Sequence, residues 1–185
     1  LPIKESQPQI PISPYGVAKK AVGDYLAAYR ELHQLEYTAL ALANVYGPRQ
    51  DPHGEAGVVA IFAGRLLADE PCTVYGDGEQ TRDYVYVDDV VDAFVRASEK
   101  GGGLVINIGT GHEISIGDLA HKIFALIGRE PEIVLDEQRV RPGNSEVMRL
   151  IADRSKAKRL LGWEPLVSLE EGLGNTIEWI RANPE

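Results

Sequence analysis

Helical and strand-like periodicities alternate along almost the whole chain, and this alternation restricts its fold more than any other feature. Stretches with apolar residues three and four positions apart are separated by short apolar runs, which is typical of α/β proteins. The predicted helices span 14–35, 57–69, 88–100, 115–128, 153–161 and the segment after 168, and the predicted strands span 36–44, 72–75, 82–87, 104–108 and 132–135. The side chains predicted to cap helix N-termini are Ser13, Asp88, Ser115, Asp153 and Ser168.

Composition narrows the classes of partner that such a chain can have. With 185 residues, 44% of them hydrophobic, the chain can bury one substantial core or one core plus part of another. Its formal net charge is −9 and its 19 Lys and Arg are scattered among acidic neighbours, which argues against a nucleic-acid partner. The single Cys72 excludes an internal disulfide. No metal site is predicted, because metal-ligand spacing is missing from the histidines, which are His33, His53, His112 and His121.

The sequence gives no sign of a membrane association. It has neither a signal peptide nor an apolar run long enough to span a bilayer. We therefore expect a cytoplasmic location and no membrane partner. The alternative of a targeting segment that has been removed stays open, because the chain begins at Leu1 without an initiator Met.

Tyr15 and Lys19 are four residues apart at the start of the first predicted helix, a spacing that places a phenol and an ammonium on one face. Ser13 is a good N-cap and Pro14 a good first helical residue, so Tyr15 lies in the first turn. There the helix dipole and the Lys19 ammonium both favour a phenolate, which can act as a base. The alternative is a surface pair that only packs and contacts solvent, because this spacing is common by chance.

A glycine-rich nucleotide loop is the next feature to seek in an α/β chain. Gly109-Thr110-Gly111 follows a predicted strand and precedes a helix, but Ile114 stands where a third glycine is needed. An acidic residue at the right distance on a following strand is also missing. We therefore interpret these residues as a structural turn and predict that the chain has no dinucleotide site of its own.

Two arginines in predicted loops or at strand ends could bind an anionic ligand, because a planar guanidinium grips a phosphate at two points. Arg82 opens the apolar run 84–87 and is predicted to be fixed at a strand edge, whereas Arg141 lies in a long irregular segment. Asn44 ends a strand, where open α/β sheets bind ligands, although a turn-forming Asn is equally ordinary. Tyr75 could stack on a base, although an alternating strand residue is more often part of the core.

Several motifs in this order and spacing together resemble one family, the extended short-chain dehydrogenases/reductases. Within that family the chain is similar to the nucleotide-sugar epimerases and dehydratases typified by UDP-glucose 4-epimerase. The motifs are Ser13-Pro14-Tyr15-Gly16-x-x-Lys19, Asn44-Val45-Tyr46-Gly47-Pro48-Arg49-Gln50, Val74-Tyr75-Gly76-Asp77-Gly78, Arg82-Asp83-Tyr84-Val85-Tyr86-Val87-Asp88-Asp89-Val90, Asn107-Ile108-Gly109, Arg141-Pro142-Gly143 and Leu161-Gly162-Trp163-x-Pro165.

The resemblance implies NAD-dependent epimerisation of a UDP-sugar at C4. Tyr15 would take the proton of the sugar 4-hydroxyl while hydride passes from C4 to NAD, and the resulting 4-keto sugar would turn over and be reduced on its other face. Lys19 would assist Tyr15 and bind the nicotinamide ribose. At the substrate diphosphate, the resemblance implies Asn44, Arg82 and Arg141. Tyr75 would lie near the uracil. Asn144 replaces the family's usual aspartate beside the nucleotide ribose.

Two alternatives stay open. A nucleotide-sugar 4,6-dehydratase or UDP-glucuronate decarboxylase of the same family would share all of these motifs. A protein of another class, which binds a nucleotide sugar without catalysis, would keep the pocket but would not need Tyr15 and Lys19.

The resemblance also implies a fold and a domain organisation. The expected fold is the C-terminal part of a Rossmann-type doubly wound sheet plus a smaller α/β substrate-binding domain. Residues 1–56 would be the remnant of the NAD-binding domain, and residues 57–185 mainly the nucleotide-sugar domain, with about 84–110 returning to the first. The glycine-rich NAD loop and the Ser or Thr that completes the catalytic set would precede Leu1, so the isolated chain is expected to be inactive. The Tyr15 helix would form a homodimer, and unpaired strand edges would be exposed.

Overall fold

The structure is a computed structural model, and it describes residues 1–52, 57–129, 133–136 and 147–183. The helices of this part of the chain are α1 (Pro14–His33), α2 (Val58–Leu67), α3 (Val87–Ala97), α4 (Ile116–Ile127), α5 (Ser155–Leu161) and α6 (Leu169–Ala182). The strands are β1 (Thr38–Leu42), β2 (Asn44–Tyr46), β3 (Cys72–Tyr75), β4 (Thr81–Arg82), β5 (Tyr84–Tyr86), β6 (Leu104–Ile108), β7 (Ile114–Ser115), β8 (Ile133–Asp136) and β9 (Arg149–Leu150).

Parallel strand pairs dominate the sheets, as the alternation of elements predicted. β1 pairs with β6, β2 with β5 and β3 with β8, all in parallel. β4 lies between β7 and β9 in a small mixed sheet. Parallel neighbours need a crossover connection, and these connections contain helices, such as α2 between β2 and its partner β5. The α/β fold class is confirmed.

Two predicted strands are each divided into two, and the division separates the sheets. The predicted strand 36–44 becomes β1 and β2, which pair with different partners. At the break, Ala43 N–H donates to Ile108 O at 2.8 Å and Asn44 N–H donates to Asp83 O at 2.9 Å. The predicted strand 82–87 is likewise interrupted at Asp83, between β4 and β5. The breaks lie where the backbone changes its hydrogen-bonding partner.

Three of the predicted caps are confirmed and two are wrong. The hydroxyls of Ser13, Ser115 and Ser168 each accept a backbone N–H three residues on, at 3.1, 3.0 and 3.2 Å. α3 instead begins directly after β5, with Tyr86 as its N-cap, so Asp88 lies within the first turn. The N-cap of α5 is Arg154 rather than Asp153.

Asp153 nevertheless supports the start of α5 from one position further out. Its carboxylate accepts Ser155 N–H at 2.9 Å and also bonds the Ser155 hydroxyl. These bonds lower the pKa of the Asp153 carboxyl.

Apolar residues form two separate buried clusters. The first is packed between α2, α4 and α6 and includes the aromatic rings of Tyr46, Tyr84 and Tyr86. The second lies between β6, α3 and α5, where Trp163 is fully buried and its ring N–H donates to Asp89 O at 2.8 Å. The Cys72 thiol is buried in the first cluster, and burial raises its pKa.

α1 differs from the other helices because none of its residues is buried. Its exposed apolar and aromatic side chains include Tyr15, Val17, Val22, Tyr25, Tyr29 and Leu32. Within the described ranges β1 has β6 as its only strand partner, so one edge of β1 is unpaired, as expected. Among the described residues no helix combines the length and the apolar character that crossing a bilayer requires.

Candidate active site

The Tyr15–Lys19 pair has the geometry predicted from its spacing. Ser13 caps α1 and Pro14 is its first residue, which places Tyr15 in the first turn. The Lys19 ammonium nitrogen lies 5.3 Å from the centre of the Tyr15 ring, and 68% of Tyr15 is exposed. An exposed phenol beside an ammonium and above a helix N-terminus can exchange a proton with a bound hydroxyl.

The segment before α1 is anchored at the carboxyl end of β6. Asn107 N–H donates to the Glu5 carboxylate and the Asn107 amide donates to Ile3 O, both at 2.9 Å. Ile3 N–H donates to Ile151 O at 2.8 Å, and Ile3 forms a parallel bridge with Ala152. These bonds connect Ile3 and Glu5, which precede the Tyr15 helix in the chain, to the ends of β6 and β9.

Two predicted substrate residues that are far apart in sequence lie on segments that are hydrogen-bonded to each other. Asn44 opens β2, is paired in register with Tyr84, and bonds the backbone of Asp83. Arg82, the residue before Asp83, is half-buried, and its guanidinium donates to Thr81 O at 2.8 Å. Arg82 is the last residue of β4, which is the central strand of its sheet. It borders β7 and β9, two short strands that distant parts of the chain supply.

Asp83 is a buried carboxylate that the sequence analysis did not single out as a site residue. It is fully buried. Its Oδ1 accepts Thr110 N–H at 2.8 Å and the Thr110 hydroxyl at 2.7 Å, and its Oδ2 accepts Gly111 N–H at 3.0 Å and Ala152 N–H at 3.2 Å. The sequence did contain a signal, because a carboxylate interrupts the apolar run that follows Arg82.

The glycines at 109 and 111 form the structural turn that the sequence predicted. A side chain at Gly109 would place its Cβ 2.7 Å from the Asp83 carboxylate and 2.8 Å from the Ala152 Cβ. Gly111 has a φ of +73°, a conformation that favours glycine. The turn is therefore packed against Asp83, and its N–H groups are used within the protein rather than for a phosphate.

The amino-acid sequence matches the model of a known protein family over nearly its whole length. The model of the family described as GDP-mannose 4,6-dehydratase matches residues 1–176. The chain belongs to this family. It is thus a member of the extended short-chain dehydrogenases/reductases, as its motifs predicted.

Individual relatives of this family member are similar over nearly its whole length. A UDP-glucose 4-epimerase of Mycolicibacterium smegmatis is 48% identical over 181 residues, which are 97% of this chain and 56% of the relative. The crystal structure of UDP-glucose 4-epimerase with UDP-glucose from Thermotoga maritima is 49% identical with a TM-score of 0.92, covering 100% of this chain and 58% of that one. A Thermus thermophilus UDP-glucose 4-epimerase complex with NAD is 37% identical with a TM-score of 0.87, covering 98% and 58%.

These comparisons have two structural consequences. The neighbours are Rossmann-type epimerases, so the Rossmann assignment of the fold is confirmed. The family member spans a little over half the length of these relatives.

The side chains of three predicted site residues lie outside the described part of the structure. Tyr75 ends β3, beside β8, but its side chain lies outside the described part of the structure. Arg141 and Asn144 lie outside the described residues altogether. Their assignment to the nucleotide stays a prediction.

Tyr84, next to Asp83, carries a hydroxyl with an unusual environment. It is 6% exposed, and its hydroxyl has no hydrogen-bond partner among the described residues. Burial raises the pKa of this phenol, and the nearby Arg82 charge opposes that rise. Tyr84 is therefore a neutral side chain of the first buried cluster, on the strand paired with that of Asn44.

Acidic side chains near Arg82 are bonded within the protein. Within the described part of the chain no group of His, Cys, Asp or Glu side chains is arranged to hold a metal ion. Glu113 bonds the Arg149 guanidinium and accepts the Thr81 hydroxyl at 2.6 Å. These bonds lower the pKa of Glu113 and fix β4 between its neighbours.

Proposed function

We propose that the full-length protein is an isomerase that interconverts UDP-glucose and UDP-galactose at C4 with the help of NAD. The observation that carries this proposal is the pair formed by Tyr15 and Lys19, with the phenol exposed and the ammonium one turn further along α1. The similarity of the chain to the UDP-glucose 4-epimerases of M. smegmatis and T. maritima, at 48% and 49% identity, supports the choice of reaction.

Tyr15 and Lys19 divide the proton chemistry between them. The Tyr15 phenolate takes the proton of the sugar 4-hydroxyl and returns it when the 4-keto sugar is reduced, so the proton balance closes over one turnover. Lys19 stabilises the negative charge on the Tyr15 oxygen and donates a hydrogen bond to the nicotinamide ribose. Bound NAD supplies the hydride acceptor and donor at C4.

The residues of α1 fit the cofactor assigned to them. An exposed ammonium at Lys19 is a suitable donor for ribose hydroxyls, and the T. thermophilus relative was solved as a complex with NAD. The glycine-rich loop for the NAD pyrophosphate is assigned to sequence outside this chain, because the turn at 109–111 is bonded to Asp83.

The substrate diphosphate is assigned to the corner formed by Asn44 and Arg82. The half-buried Arg82 guanidinium supplies charge-assisted bonds to phosphate oxygens, and Asn44 adds a neutral donor from the neighbouring strand. The T. maritima relative was solved with UDP-glucose, which supports a UDP-sugar. Arg141 and Asn144 complete the proposed diphosphate and ribose contacts, and Tyr75 lies near the uracil.

The proposed domain organisation follows the same assignment. Residues 1–56 and about 84–110 belong to the NAD-binding domain, and the rest of 57–185 belongs mainly to the nucleotide-sugar domain. The buried cluster between α2, α4 and α6 lies mainly in the second part, and the tyrosine rings of β2 and β5 pack onto it from the first part. The other buried cluster joins β6 and α3 of the first part to α5 of the second.

We also propose that α1 forms a homodimer contact in the full-length protein. Its side chains are all at least partly exposed and include Val22 and Leu32, at 56% and 75% exposure. Val22→Arg should convert a dimer to a monomer in analytical ultracentrifugation, whereas an unchanged sedimentation coefficient would contradict this contact.

The catalytic proposal is tested with the full-length protein, UDP-galactose and NAD, with UDP-glucose measured by proton NMR. The wild type should produce UDP-glucose. Tyr15→Phe should lower kcat by about 10²–10⁴-fold, because the proton acceptor is lost. Tyr25→Phe is the matched control, since Tyr25 lies on the same helix and is 69% exposed. Equal activity of the Tyr15→Phe variant would exclude Tyr15 as the base. The isolated 185-residue chain should show no turnover.

A 4,6-dehydratase is the second candidate, because the matched family model carries that description. Both reactions begin with oxidation at C4, in which Tyr15 takes the 4-hydroxyl proton, and both pass through a 4-keto sugar. Dehydration then also removes the 6-hydroxyl as water. Mass spectrometry of the product separates them: an epimer has the mass of the substrate, and the dehydration product is lighter by one water. A UDP-glucuronate decarboxylase would instead release carbon dioxide from a uronic acid substrate.

A further inference from the structure

We infer that the buried Asp83 is the positioning residue for the diphosphate anchors Arg82 and Asn44. This inference rests on the proposed function, because it concerns the same substrate site. Asp83 lies directly after Arg82 in the chain, and its backbone carbonyl accepts Asn44 N–H at 2.9 Å. One residue is thus bonded to both anchors, by a peptide link to Arg82 and by a hydrogen bond to Asn44.

The carboxylate of Asp83 is held in one orientation. A fully buried carboxylate is costly unless it is thoroughly hydrogen-bonded. Here each oxygen accepts two bonds, Oδ1 from the N–H and hydroxyl of Thr110 and Oδ2 from the N–H groups of Gly111 and Ala152. Bonds on both oxygens fix the side chain against rotation, so the backbone corner between β4 and β5 is fixed as well.

The donors come from two chain segments that are otherwise separate from this corner. Thr110 and Gly111 belong to the turn after β6, and Ala152 follows β9. Ala152 in turn bridges to Ile3, whose carbonyl accepts the Asn107 amide. Asp83 therefore connects the diphosphate corner with the N-terminal segment that precedes the Tyr15 helix.

The packing around Asp83 determines which substitutions are informative. A Cβ at Gly109 would lie 2.7 Å from Oδ2, so the site has no room for the longer glutamate. Asp83→Asn keeps the size but replaces one acceptor oxygen with a donor that faces N–H groups, so it could prevent folding. Thr110→Val is milder, because it keeps the shape and the backbone N–H and removes only the hydroxyl, which donates to Oδ1 at 2.7 Å and accepts His112 N–H at 3.2 Å.

Thr176 provides a matched control for Thr110. Thr176 is fully buried in α6, and its hydroxyl donates to Gly172 O at 2.7 Å. Thr176→Val also removes one buried hydroxyl bond but does not touch Asp83 or its donors. Thr110→Ser is the conservative variant, since it retains the hydroxyl.

The test measures binding of UDP and of uridine to the full-length protein by isothermal titration calorimetry, together with urea unfolding. Thr110→Val should bind UDP about two- to tenfold more weakly with unchanged uridine affinity, because only UDP carries the diphosphate. Thr110→Ser and Thr176→Val should bind both ligands as the wild type does, even if Thr176→Val is destabilised as much as Thr110→Val.

Three results would overturn the inference. Unchanged UDP affinity in a destabilised Thr110→Val variant would mean that Asp83 only supports the fold. Equal losses for UDP and uridine would place the effect away from the diphosphate. A wild type that binds neither UDP nor UDP-glucose would overturn the proposed function together with this inference, whereas the first two results leave the proposed function intact.

Discussion

The Lys19 ammonium nitrogen lies 5.3 Å from the centre of the Tyr15 ring, one turn further along α1. Lys20, the next residue, points its ammonium to the Asp24 carboxylate at 2.8 Å instead. Two adjacent lysines of one helix thus have different partners, one a phenol and the other an acid. This difference allows the electrostatic contribution to Tyr15 to be tested within a single turn.

Lys19→Met should lower kcat/KM of the full-length protein for UDP-galactose by about 10²-fold, because the phenolate loses its nearby positive charge and the ribose loses a donor. Steady-state kinetics with varied NAD and UDP-galactose measures this. Lys20→Met is the control and should leave both parameters within about twofold, since an exposed i,i+4 ion pair contributes little. Equal effects of the two substitutions would mean that Lys19 acts only through the net charge of the helix.

How far the sequence predicted the fold depends on how local each feature is. The caps at Ser13, Ser115 and Ser168 involve an N–H three residues away, and sequence reasoning identified them correctly. The divisions at Ala43 and Asp83 depend on bonds to distant strands, so the apolar runs around them could not indicate a break.

The failure of the two aspartate caps has the same origin. α3 begins directly after β5 because the pairing of Tyr84–Tyr86 with β2 ends there. Tertiary position therefore determined the N-cap, and the local preference of Asp88 for that position was overridden. Asp153 was one residue away from the observed cap of α5, which is within the usual uncertainty of helix boundaries.

The candidate site shows the same contrast. The placement of Tyr15 and Lys19 on one face could be predicted from their four-residue spacing, because a helix brings such residues together. Their proposed role came from the surrounding motifs, since the spacing itself is common by chance. The meeting of Asn44 with the Arg82–Asp83 corner depends on the parallel pairing of β2 and β5. Without a pairing scheme the sequence could name both residues but not the bond between their strands, so Asp83 was missed.

Two glycines of α6 should respond in opposite ways to alanine. A Cβ at Gly172 would overlap the Tyr46 hydroxyl oxygen and lie 2.9 Å from Tyr86 Cδ2, whereas nothing lies within 4 Å of a Cβ at Gly174. Gly172→Ala should lower the free energy of unfolding by about 1–3 kcal/mol through overpacking. Gly174→Ala should raise it by about 0.5–1 kcal/mol, because glycine is unfavourable within a helix.

Urea unfolding of the two variants, followed by circular dichroism, measures both changes against the wild type. Because the two positions lie two residues apart in one helix, the intrinsic helix preference of alanine contributes equally to each. A stabilising Gly172→Ala substitution would show that α6 can move away from Tyr46, contrary to the close packing described above.

Tyr84→Phe should leave the free energy of unfolding unchanged or slightly higher. The Tyr84 hydroxyl is buried and has no partner among the described residues, so its removal costs no hydrogen bond there. Tyr46→Phe is the matched comparison, because the Tyr46 hydroxyl donates to Leu169 O at 3.3 Å. That variant should lose about 0.5–1.5 kcal/mol. An equal loss for Tyr84→Phe, measured by urea unfolding, would show that its hydroxyl has an internal partner.

Glu113 should make the stability of the β4 sheet dependent on acid pH. The bonds from Arg149 and Thr81 hold its pKa below the ordinary value of 4.5. A carboxyl with a lowered pKa in the folded state stabilises the protein fully above its unfolded pKa, and this stabilisation is lost as the pH falls through the folded value. Wild type should therefore be more stable than Glu113→Gln at neutral pH.

The difference between the two proteins should remain constant down to about pH 4.5 and then shrink, because protonated Glu113 resembles Gln. Urea unfolding of both proteins from neutral pH to about pH 3 measures this difference in the free energy of unfolding. The other carboxyls contribute equally to both proteins, so their contributions cancel. A difference that grows on acidification would contradict the assigned direction of the pKa shift. Because Thr81 precedes Arg82, the same variant should also weaken UDP binding if the Glu113 bonds help to fix β4 in the substrate site.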